Sequence, residues 1–265
     1  MKFSPKLPLR WAVTLAVACS AGVGAQAFAQ GSTGPGDAEA RAAVHQMSDF
    51  LAKQKSFTLK TASSIEVVLK NGQKLQFDQV AQIAVARPDK LRAIRVGDAL
   101  RQEMVYDGKS ITVFSQVDGV PYYATAPAPA TLEAALDFAR ESLDVVAPAG
   151  DLLYANAADI LMEDVVSAMV VGQGTVGGVP CRHLAFQGNQ VDWQIWIKDG
   201  PRPLPCKLVI TSKLQAGQPQ FVVVTSDWNL APKLAAERFH FVPPKGAIKV
   251  DFLPPAGKTV GEGKQ

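Results

Sequence analysis

The chain has few of the patterns that chemistry needs. Its three histidines, His45, His183 and His240, lie far apart and form no H-x-H or H-E-x-x-H spacing, so no metal site is expected. There is no G-x-S-x-G elbow to expose a nucleophilic serine. The carboxylates are scattered. The adjacent pair Glu163-Asp164 would point about 100° apart on a helix and forms no acid/base couple. Gly172-Gln173-Gly174-Thr175-Val176-Gly177 matches G-x-G-x-x-G, yet it runs into Val179-Pro180 and a strand rather than opening a helix. It reads as a glycine-rich hairpin or bulge. The expectation is a protein that is not an enzyme and uses no cofactor and no metal.

Net charge is also missing once the first segment is set aside. Lys2, Lys6 and Arg10 account for the whole formal excess of +3. Without residues 1–29 the basic and acidic residues balance, and no charge argument for nucleic acid survives. Those residues have the three parts of a secretory signal: the basic start, the apolar or small run Trp11 to Val23, and Ala27-Phe28-Ala29. Cleavage is expected after Ala29. The apolar run falls short of the roughly 20 residues of a spanning helix, so no transmembrane span is expected after processing. An uncleaved anchor is one alternative. A lipid anchor on Cys19 is another, with Ala16 standing where a lipobox usually has leucine.

What is present is alternation. Residues 30–36 are rich in Gly, Ser and Pro and read as a flexible lead-in. Asp37 to Lys53 has helical spacing, with Val44, Met47, Phe50 and Leu51 on one face. The period then drops to two. Phe57, Leu59, Thr61, Ser63, Ile65, Val67 and Leu69 alternate, Asn71-Gly72 turns, and Leu75, Phe77, Gln79, Ala81, Ile83 and Val85 return. Short strands follow to Ala124. Thr131 caps a second helix, and a third helical segment falls between Asp151 and Val165. More strands run to Phe252, and residues 254–265 read as a loose tail.

This order predicts a mainly β (α+β) domain over 37–253: an open antiparallel half-barrel of about ten or eleven strands, with about three helices plugging the concave face. Such a face is a container for an apolar ligand if the helices leave space, and a filled core if they do not; alternation fits both. The tentative apolar wall is Leu184, Phe186, Val191, Trp193 and Ile195, with Phe77 and Ile83 from the first hairpin. A turn at Gly188-Asn189 would put Leu184 opposite Trp193 and Phe186 opposite Val191.

Export makes a disulfide between Cys181 and Cys206 conceivable. The meander argues against it. The two cysteines flank its middle strand, roughly 9.6 Å apart by strand spacing, and their inward faces disagree, whereas bridged Cα atoms lie about 4.4–6.8 Å apart.

Several motifs resemble a known group. Arg87-Pro88-Asp89-Lys90-Leu91-Arg92, Tyr106-Asp107-Gly108-Lys109 and Phe239-x-Phe241-x-Pro243-Pro244-x-Gly246-Ala247 look like the LolA/LolB-like superfamily. Cys181-x-His183-Leu184-Ala185-Phe186, Trp193-Gln194-x-Trp196-Ile197, Pro203-Leu204-Pro205 and Lys207-Leu208-Val209-Ile210 are similar to a predicted periplasmic family of unknown function, DUF2092, over about residues 40–253. The resemblance implies an open half-barrel closed by helices, with relatives that carry or receive lipoprotein acyl chains. The expected partner is a lipid or acyl-chain ligand, with a lipoprotein as one form of it, held by a periplasmic monomer. The alternative is an envelope protein-interaction or sensor module with a filled core.

Overall fold

The computed structural model of the chain describes residues 35–98, 101–145 and 149–253. The expected signal segment, Cys19, Pro148 and the expected tail lie outside the described residues.

A first meander contains β1 (Ser56–Val68), β2 (Lys74–Ala86), β3 (Lys90–Gly97), β4 (Arg101–Tyr106), β5 (Ser110–Val117) and β6 (Val120–Pro127). A second contains β7 (Val165–Val176), β8 (Val179–Gly188), β9 (Val191–Lys198), β10 (Pro205–Ser212) and β11 (Gln220–Asn229). The two-residue β12 (Ile248–Lys249) pairs parallel with β6 and brings the described strands to twelve. All form one unclosed sheet in the order β12-β6-β5-β4-β3-β2-β1-β11-β10-β9-β8-β7. The long-range pairing of β1 with β11 welds the meanders, with Ser63 opposite Val223.

Local chemistry sets the turns. Asp118 and Gly119 both have positive φ, 50° and 79°, as a two-residue type I′ hairpin between β5 and β6 requires. Asn71-Gly72 sits in a longer loop in which Asn71 accepts from the Gln73 amide at 3.0 Å. The Gly172–Gly177 stretch lies in β7 and its turn to β8, with a register shift between Val170 and Gly172.

α1 (Pro35–Ala52), α2 (Leu132–Ser142) and α3 (Ala157–Met162), with a 3-10 turn at Gly150–Leu153, cover the concave face. On α1 the buried Ala40, Ala43, Val44, Met47 and Leu51 recur at helical spacing. In its first turn Asp37 accepts from Arg41 Nε at 2.6 Å and from the Ala168 amide of β7 at 2.7 Å. That places an anion at the positive end of the helix and fixes α1 to the sheet. Thr131 caps α2, accepting from the Ala134 amide at 3.4 Å. α1 and α2 thus cover different halves of the sheet. Two core clusters result, one under α1 and one under α2, and Trp228 and Leu230 pack against both.

Candidate functional site

Register places the inward residues in rows. Leu59, Ile83, Ala93 and Met104 form one row across β1, β2, β3 and β4. The next is Thr61, Ala81, Arg95 and Gln102. Leu136 of α2 and Leu152 and Leu153 of the 3-10 turn roof these rows, and Trp228 closes the side toward α1. Together with the rows they line a cavity of about 140 Å³ that opens to solvent. Its walls are mainly aliphatic, with a polar belt of Thr61, Ser63, Gln79, Arg95, Gln102 and Thr225. That volume is comparable to the roughly 150 Å³ of an apolar cavity known to admit a benzene-sized guest, and here the space continues out through the mouth.

Among the described residues, Arg95 is the one charged residue in that lining. It donates to the Gln102 Oε1 atom, and among the described residues no carboxylate pairs with it. Burial lowers its pKa by penalising the charged form. The roof has its own latch. Arg87 donates to the Leu153 carbonyl at 2.6 Å and to Glu133 at 2.8 Å, so the residue just after β2 holds both the 3-10 turn and α2. Tyr154 donates to Asp137 at 2.8 Å, and Arg140 reaches Asp137 at 2.7 Å.

The structure separates the wall expected from sequence. Leu184, Phe186, Trp193 and Ile195 are buried in the cluster under α1, and Val191 packs against it. Ile83 lines the cavity. Phe77 shares its face, three rows further out and opposite Ile65. The β8–β9 register also differs: Phe186 faces Trp193 and Leu184 faces Ile195. The Phe186 and Trp193 rings stack at 3.9 Å and 9°. The cause is Gly188. It is the last residue of β8, where a Cβ would meet the Val191 carbonyl at 2.6 Å and Asp164 Oδ2 at 2.8 Å, so glycine lets the strand run to this position. Asp164 accepts from the Gln190 amide at 2.7 Å and from the Asn189 side chain at 3.1 Å, so the turn falls at Asn189-Gln190.

Cys181 and Cys206 are buried and unbridged. The opposite-face geometry expected for them does not hold. Cys206 sits where β10 shifts register against β9, and the thiols are close enough to perturb one another. Burial pushes the Cys206 thiol up to about 12.

Leu59, Met104, Arg95, Gln102 and Trp228 were absent from the expected wall. One signal for them was readable: Thr61 and Ser63 interrupt an otherwise apolar inward face of β1. Hydroxyls on an inward face mark a place where the core is not closed.

The profile of a family described as predicted periplasmic protein (DUF2092) matches residues 40–253. The chain belongs to this family. A search of curated sequences finds no match. Among solved structures, the DUF2092 chain is similar to LprF from Mycobacterium bovis at 14% identity and TM-score 0.43, covering 81% of this chain and 100% of that one. It is also similar to the LolA superfamily protein NE2245 from Nitrosomonas europaea, at 13% identity and TM-score 0.35, covering 76% and 97%. A third is the MucA/MucB complex of Pseudomonas aeruginosa, at 14% identity and TM-score 0.36, covering 77% of this chain and 61% of that one. Among the described residues no helix is long and apolar enough to cross a membrane.

Proposed function

We propose that this DUF2092 protein is a non-catalytic binding or carrier protein of the periplasm, released from its signal after Ala29. It holds one apolar chain in the cavity between β1–β4 and the α2 roof. The observation that carries this reading is the cavity itself: an aliphatic chamber with a solvent-facing mouth, under a roof held by Arg87. The chain lies against Leu59, Ile83, Met104, Leu136 and Trp228.

Native mass spectrometry of protein taken from the periplasm without detergent tests the proposal. The expected result is an adduct of single-chain amphiphile mass that organic extraction removes. Protein that carries no adduct and takes up no fluorescent fatty acid would contradict it.

A second reading, an envelope interaction module, draws on a different observation. β7 ends the sheet and carries no charged residue, and its Val166, Met169 and Val171 are about half exposed. An apolar edge strand of this length is a template for strand addition. Concentration-dependent self-association, lost on Met169→Lys, would favour this reading.

A further inference from the structure

The β2–β3 region presents arginines in two kinds of setting. Arg87 meets Glu133 at 2.8 Å, and Arg92, on the outer face, meets Glu103 at 2.7 Å. Arg95 lies on the inner face, in the wall of the cavity, with only the neutral Gln102 as a described acceptor. A guanidinium carries five N–H donors in a planar fork. One is used here, and the wall around the others is Ala81, Ala93, Met104 and neutral polar groups. A partly desolvated cation without a counter-ion is costly, and an anion arriving beside it removes that cost.

We infer that Arg95 makes this cavity selective for a single-chain amphiphile with an anionic head, the chain lying on the Leu59–Ile83–Met104 row and the head at Arg95 and Gln102. The inference rests on the container reading above and names its ligand class. The rows supply the polarity: Leu59, Ile83, Ala93 and Met104 are aliphatic, and the adjacent row, one inward position further along each strand, is Thr61, Ala81, Arg95 and Gln102. An amphiphile spanning the two rows meets carbon with carbon and charge with charge. Carboxylate and phosphate both fit the fork bidentately, so a fatty acid and a lysophospholipid share the required chemistry.

The test is fluorescence titration at neutral pH with cis-parinaric acid and its methyl ester. Wild-type protein should bind the acid about tenfold or more tightly than the ester, the discrimination expected of one charge-assisted contact in a partly dry site. Arg95→Gln should abolish the difference, acid binding falling to the level of ester binding by the same variant. Arg95→Lys should keep part of the preference, and Arg95→Gln, which removes an uncompensated charge, should melt no lower than wild type. Palmitate and lysophosphatidylglycerol as competitors then separate the two sources: displacement by the first assigns a carboxylate head, by the second a phosphate. Equal binding of acid and ester by wild type, or a preference that survives Arg95→Gln, overturns the inference and leaves the container standing. Failure of both probes to bind overturns the container and the inference together.

Discussion

Trp193 and Trp228 both face the concave side, yet their surroundings differ. Trp193 is 5% exposed and stacked on Phe186 beneath α1, whereas Trp228 borders the cavity and donates to Thr225 at 3.0 Å. Trp193→Ala should therefore cost about 3–5 kcal/mol in chemical denaturation, as for other large-to-small core changes. A shift in tryptophan emission on lipid addition should persist in Trp193→Phe and vanish in Trp228→Phe. An emission change that follows Trp193 instead would place the ligand in the other half of the sheet. The cysteines give a second residue-scale prediction. The thiolate is the reactive form, and burial raises both thiol pKa values. Native protein should resist iodoacetamide at pH near 8 and react fully in denaturant; prompt native labelling would show that the β8–β10 core is open.

At the scale of elements, the two long helical covers are anchored differently. α1 is tied by Asp37, whose pKa is lowered from 3.8 chiefly by the Arg41 hydrogen bond, with a further contribution from the Ala168 amide. A carboxylate with a depressed folded pKa stabilises the fold above its unfolded pKa and loses that contribution as pH falls through the folded value. Asp37→Asn should cost about 2 kcal/mol at neutral pH, the worth of hydrogen bonds to a charged group. The difference from wild type should shrink as pH falls below 3.8, followed by melting temperature. A gap independent of pH would refute the tie. The roof over the cavity depends on Arg87. Arg87→Ala leaves Glu133 without its partner and frees the Leu153 carbonyl. Amide exchange around Gly150–Tyr154 should quicken while exchange in β8–β10 stays slow; uniform acceleration would mean that Arg87 supports the whole fold.

For the whole molecule, alternation made the sheet legible. Phe57 to Val67 and Leu75 to Val85 pair across β1 and β2 with the inward faces their sequence shows. The β8–β9 pairing lies two positions from the one that a Gly188-Asn189 turn predicts. Because strand side chains repeat every two residues, the inward set of Leu184, Phe186, Trp193 and Ile195 survived that error. What stayed hidden was which half of the sheet is filled. That depends on α1 docking through Asp37 to Ala168, a contact across 131 positions, and no local pattern encodes it. Large aromatic residues marked Trp193 as a wall, whereas the chamber is bounded by smaller residues, Ala81, Ala93 and Thr61, whose size leaves the space.

The central claim is that this space holds an apolar chain, and filling it tests the claim most directly. Ala93→Phe projects a ring into the cavity from the middle of β3. Cis-parinaric acid titrations of wild type and Ala93→Phe, with circular dichroism to establish that both are folded, give the answer. The account predicts saturable uptake by wild type and none by the folded variant. Undiminished uptake by a folded Ala93→Phe protein would contradict it.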